Sequence, residues 1–187
     1  MATDFLDSII RQVEYYKVLG EKALARIPDE TLGWQYNPAS NSASTIVRHL
    51  WGNMLSRWTD FLTTDGEKPW RDRDAEFEND PLSREQVRQK WEEGWGVFLQ
   101  ALRQLREEDL DRVVYIRNQG HTVRDAINRQ LAHYPYHVGQ LVFLGKMLAP
   151  EWVSLSIPKG ESKRFNDEKF SAPPRAVHYT DEFLKKT

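Results

Sequence analysis

Two histidines stand four residues apart in "AHYPYHVGQ", residues 132–140, with a proline between them. That spacing places His133 and His137 on one face of a helix, one turn apart. Gln130 and Gln140 share the face. His49 and Asn53 repeat the spacing earlier in the chain, flanked by Ile46 and Leu50. Both polar strips border apolar stripes, so both are expected to point into or beside the core. Neutral imidazole is the commonest protein ligand for zinc and suits nickel and iron. Three protein ligands leave positions for water or substrate, the arrangement of a catalytic metal site. The same spacing also serves hydrogen-bonded histidines without a metal, and the residue types leave both readings open.

Two familiar metal sites are excluded. Position 134 is Tyr, so the Glu that serves as base in the His-Glu-x-x-His metalloproteases is missing. No Glu-x-x-His occurs, which removes the di-iron carboxylate bundle. Pro135 deletes a helical hydrogen bond and crowds the carbonyl of Leu131, a cost of about 3 kcal/mol. It either bends the helix around its core or re-aims the two histidines.

The candidates around the histidines are polar. Asn53 and Gln140 can orient an imidazole N–H or face a substrate. Arg57, one turn beyond Asn53, can hold a carboxylate by its fork or pair with an acidic side chain. Tyr134 and Tyr136 read as core and rim aromatics, and His121 and His178 as bystanders. "KGES", residues 159–162, offers a turn for an anion or the start of a strap across the molecule.

These residues need helices to carry them. Apolar periodicity predicts four: about Thr3 to Ile27, about Ser42 to Leu62, one starting at Ser83, and about Thr122 to Leu148. Ser83 and Gln86 form a capping-box pair. "TTDGEKPWRDRDAEFENDPL" between the second and third is a polar connection. "RVVYIRNQGHT" predicts a short β-hairpin turning at Asn118-Gln119-Gly120. From residue 151 the chain reads as an extended tail without helical period over most of its length, anchored by Trp152, Leu155 and Ile157 and able to lid the metal pocket. The expected architecture is all-α: a four-helix bundle in residues 1–150, with the tail, 151–187, packed on the same domain.

Composition narrows the function. The 187 residues carry 26 basic and 28 acidic side chains, net −2, well mixed, which gives no footprint for nucleic acid. There is no cysteine, so disulfides, thiolate metal sites and a cysteine nucleophile are excluded. No apolar run approaches the roughly 20 residues of a membrane span. The first residues lack the basic-then-apolar pattern of a signal peptide, and a cytoplasmic location is expected.

The histidine on the second helix, together with His-x-x-x-His-x-x-Gln on the last, resembles the DinB/YfiT-like superfamily of metal-dependent proteins. "RHLWGNMLSRWTDFLTTDGEKPWRDRDAEF", "RQLAHYPYHVGQ" and "WVSLSIPKGES" are similar to a subfamily of unknown function within it. The resemblance implies an up-up-down-down four-helix bundle, often a homodimer. It implies zinc or nickel held by His49, His133 and His137. Activities in the superfamily include bacillithiol S-transfer and mycothiol-dependent maleylpyruvate isomerisation, and some members are described as hydrolases. The sequence thus points to a metal-dependent enzyme with an open three-histidine site. A thiol S-transferase taking its thiol from a small molecule is preferred, because neither histidine strip carries a carboxylate base. Asp60 or the 72–78 loop would have to supply one for a hydrolase. A non-catalytic stress-related or ligand-binding bundle is the remaining alternative.

Overall fold

The computed structural model describes residues 4–184. Thr3, the expected start of the first helix, and the last three residues of the tail lie outside that range. The described chain is mostly helical: α1 (Phe5–Leu24), α2 (Ala43–Trp58), α3 (Arg84–Gln104), α4 (Val123–Leu148), α5 (Ser162–Phe170) and α6 (Asp181–Leu184). One antiparallel pair, β1 (Val113–Ile116) and β2 (Gln119–Thr122), precedes α4.

Each long helix starts where a polar side chain satisfies an N–H that the helix itself cannot. Asp4 accepts from the Asp7 N–H, Ser42 from Thr45 and Thr122 from Asp125. Ser83 and Gln86 close the reciprocal capping box that their spacing announces. α2 packs on α3 and α1 on α4, with further contacts between α1 and α3 and between α2 and α4. Ile9, Val13, Ile46, Leu50, Met54, Trp95, Phe98, Leu102, Ile127, Val138 and Leu141 meet in one buried core. Burying such side chains stabilises the fold by about 1.5–3 kcal/mol each.

The hairpin turns one residue earlier than the sequence suggests. Arg117 and Asn118 carry the positive φ angles, 55° and 59°. Gln119 and Gly120 belong to β2, where Gly120 pairs with Tyr115. Two consecutive left-handed residues match the right-handed twist of the flanking strands. The Asp65 carboxylate fixes the turn by accepting the N–H groups of Arg117 (2.9 Å) and Asn118 (2.7 Å).

That contact also anchors the long connection between α2 and α3. The Gly66 N–H bonds the Tyr115 carbonyl at 2.8 Å. Arg48 of α2 holds the far end through the carbonyls of Glu78 (2.8 Å) and Asp80. Pinned at both ends, residues 67–78 form a fixed wall against α2.

The tail contains helices that its sequence pattern conceals. α5 has no buried residue, and the pairs Lys163–Asp167 (2.7 Å) and Arg164–Glu168 (3.7 Å) support it instead of an apolar stripe. Trp152 covers Gly145, and Leu155 packs against the core. α6 docks on α1 through Asp181–Arg11 (2.6 Å). The tail is thus anchored on α1 and the end of α4 rather than over the histidine strips.

Candidate metal centre

α2 and α4 bring their polar strips face to face. The Nε2 atoms of His49 and His133 are 3.2 Å apart, and those of His133 and His137 are 3.1 Å apart. A donor atom from each of the three lies within 4.8 Å of the others, a group able to hold a metal ion. His49 and His137 are 4 % and 6 % exposed, while His133 is half-buried and forms the solvent edge of the group.

The opposite ring nitrogens decide what this convergence means. His49 Nδ1 donates to Glu76 Oε2 at 2.9 Å, His133 Nδ1 to Gln130 Oε1 at 3.3 Å, and His137 Nδ1 to Gln140 Oε1 at 2.8 Å. Each partner atom is an acceptor, so each Nδ1 carries the proton, and in the neutral imidazole the Nε2 then presents a lone pair. Lone pairs converging this closely on His133 Nε2, at 3.2 Å from His49 and 3.1 Å from His137, repel one another unless a cation lies between them. A tetrahedral ion with bonds of about 2.0–2.1 Å spaces its nitrogens by about 3.3 Å, and a facial octahedral one by about 3.0 Å. The two separations that involve His133, 3.2 and 3.1 Å, fall between these values, and the donor set suits a divalent metal in type.

Electrostatics keep His133 and His137 neutral. Burial is the main force lowering the His133 pKa to about 3, and the facing His137 and His49 add to it. Burial likewise lowers His137 to about 4, against the Gln140 hydrogen bond that favours its charged form. Both imidazoles are unprotonated at neutral pH, as metal ligation requires.

The connecting loop supplies a pair absent from the sequence candidates. Glu76 is buried, and besides His49 it accepts from Arg71 Nε (2.7 Å) and Nη2 (2.9 Å). Burial works against its charge, but the His49 and Arg71 hydrogen bonds outweigh it and hold the carboxyl below its ordinary pKa. Glu76 lies in the 72–78 loop that sequence reasoning named as one source of a distant carboxylate. Its signal in the sequence is Gly52, three residues after His49: a Cβ there would collide with Glu76 Oε1. Phe77, next in the chain, lies on the His49 ring with centroids 4.8 Å apart.

Of the polar candidates, Gln140 adjoins the histidines. It holds His137, and its Nε2 donates to Tyr136 Oη at 3.1 Å. Asn53 is turned to the core, where its Oδ1 accepts from Tyr134 Oη at 3.0 Å while that hydroxyl accepts from Trp58 Nε1 at 3.0 Å. Arg57 is buried and bonds the Gly66 carbonyl and Glu67, so it braces the loop instead of opening toward the histidines. Asp60 is exposed. His121 lies on β2, and His178 bonds Thr180 (2.7 Å) and Ser8 (3.1 Å). Pro135 sits inside α4, which runs unbroken on both sides of it.

No helix among the described residues is long and apolar enough to cross a membrane. No curated protein matches the chain. A family model described as "Protein of unknown function (DUF1572)" matches residues 1–161. With most of its length under that model, including both histidine strips and the loop that faces them, the chain belongs to the DUF1572 family, a DinB-like family.

Proposed function

We propose that this protein is a metal-dependent enzyme whose ligands are His49, His133 and His137, and that it transfers a small-molecule thiol to an electrophilic acceptor. The observation that carries the reading is the set of three Nδ1 atoms, each committed to its own acceptor, which leaves the Nε2 atoms free for a metal in a group whose donors lie within 4.8 Å of one another. A divalent ion, zinc or nickel, bound there supplies Lewis acidity that favours the thiolate form of a coordinating thiol.

The chain's own residues prepare that chemistry. Gln130, Gln140 and Glu76 fix the imidazole tautomers and orientations. Arg71 balances the Glu76 charge, so the protein part of the site is close to neutral and the charge of the ion is left for a ligand to answer. Burial of His49 and His137 limits water. The sequence has no cysteine, so the thiol comes from a cosubstrate. Transfer is favoured over hydrolysis because both Glu76 oxygens are engaged by Arg71 and His49, which makes that carboxylate a poor base.

The wider reading is an up-up-down-down four-helix bundle that forms a homodimer. Trp34, Tyr36, Tyr136, Phe143 and Met147 line one groove of about 810 Å³ and are all exposed, which offers a face for a second copy. Sedimentation velocity tests the dimer.

The deciding experiment is metal analysis of wild-type protein offered zinc or nickel, beside His49→Ala and His137→Ala. One ion per chain in the wild type and none in the variants supports the site. A metal-free wild type ends the reading. A thiol-transfer assay with bacillithiol and a panel of electrophiles then separates transferase from a hydrolase or a non-catalytic bundle. A loaded protein with no turnover on any acceptor removes the transferase part alone.

A further inference from the structure

Arg71 is a buried charged side chain with an unpaired donor. Its side chain is 2 % exposed although its backbone lies on the surface connection between α2 and α3. Nε and Nη2 are both spent on Glu76. Nη1 is buried and has no hydrogen-bond partner among the described residues. A buried N–H without an acceptor costs about 1–3 kcal/mol, and more on a charged group.

Its place in the fold ties this orphan donor to the histidines. The same guanidinium holds the carboxylate that holds His49. Its positive charge also acts on His133 and on Tyr134, the neighbours on α4. The cation therefore lies behind Glu76, one carboxylate removed from His49. Only one of its edges is satisfied by Glu76, and the unsatisfied Nη1 belongs to the other.

We propose that Arg71 is a substrate-positioning residue whose Nη1 hydrogen-bonds a carboxylate of the ligand, so that the site selects organic carboxylates over their neutral analogues. The inference rests on the metal-dependent reading above and adds the substrate class to it. Three features support a carboxylate. A guanidinium N–H forms short, charge-assisted bonds to carboxylate oxygens. Three neutral imidazoles leave the ion's charge uncompensated, while Glu76 and Arg71 cancel each other, so the loaded site is cationic. A site built around a buried donor rejects analogues that leave the donor unpaired.

The test is a titration of zinc-loaded protein with sodium acetate and with acetamide, its neutral isostere, followed by calorimetry. Wild type is expected to bind acetate at least tenfold more tightly than acetamide. Arg71→Lys keeps the charge and a bond to Glu76 but lacks the fork, and is expected to lose that preference at unchanged zinc content. A second arm uses metal-free protein with ¹⁵N-labelled arginine, where acetate and not acetamide should shift the Arg71 side-chain resonances. Equal affinity for acetate and acetamide in the wild type overturns the proposal. So does acetate binding within twofold in Arg71→Lys, which would assign the anion to the metal alone. Should the triad prove to bind no zinc, the proposed function fails by itself, and unchanged Arg71 resonances in the metal-free arm would overturn this inference separately.

Discussion

Gly52 and Glu76 are fitted to one another: the carboxylate occupies the volume that any side chain at position 52 would fill. Gly52 follows His49 by three residues on α2, so the bare patch lies on the turn above the histidine. Through that patch Glu76 reaches His49 Nδ1. Gly52→Ala should therefore expel the carboxylate and loosen His49 without emptying the core. The expected outcome is about a 10–100-fold loss of zinc affinity with the helical circular-dichroism signal retained. Zinc titration against a competing chelator measures it, and unchanged affinity would show that Glu76 does not orient the ligand.

The Glu76–Arg71 pair is buried, so removing one partner leaves an uncompensated charge. Glu76→Ala is expected to destabilise the metal-free protein by about 3–5 kcal/mol in urea unfolding. Replacing both, as Glu76→Met with Arg71→Met, should cost much less than the sum of the single changes. Additive losses would mean that the two side chains act independently.

Acid should act on the histidines in a defined direction. His133 and His137 accept protons only near pH 3 and pH 4 in the folded protein, against 6.5 ordinarily. Between pH 6.5 and about 4 the unfolded chain therefore binds more protons than the folded one, and stability falls as pH falls. Glu76, with its lowered folded pKa, contributes with the same sign at the lower end of that range. Scanning calorimetry of metal-free protein should show a falling melting temperature across this window, and a smaller fall in a His133→Gln, His137→Gln variant. Proton competition for zinc at these two ligands should likewise set in roughly 2.5 to 3.5 pH units below that of an ordinary imidazole.

Tyr134 occupies the position where a metalloprotease would carry its glutamate, yet its hydroxyl joins Trp58 to Asn53 inside the core. Tyr134→Phe leaves two buried partners unpaired. The expected cost is about 1–3 kcal/mol in urea unfolding, with zinc stoichiometry unchanged. Loss of zinc in this variant would place the hydroxyl in the site itself.

Much of the helical frame is legible in the chain because caps and periodicity are local. Ser83 with Gln86 marks the start of α3, and the stripe from Val123 to Leu148 marks α4. α5 escapes such a reading because ion pairs on an exposed surface leave no apolar period. The hairpin was visible in its β-branched residues, but its turn was set by a carboxylate, Asp65, more than 50 residues away.

The candidate site divides along the same line. Sequence alone determined that His133 and His137 share a face, that His49 lies on another amphipathic helix, and that no cysteine or metalloprotease glutamate is present. Helical spacing is a property of a few consecutive residues and survives in any fold that keeps the helix. Only the tertiary structure brought donor atoms of the three histidines within 4.8 Å of one another. It also sent Asn53 and Arg57 to other partners, and packed the 67–78 wall so that Glu76 fills the space at Gly52 with Arg71 behind it. Those outcomes depend on how distant segments exclude one another's volume and satisfy one another's buried charges, and neither quantity is written in local spacing.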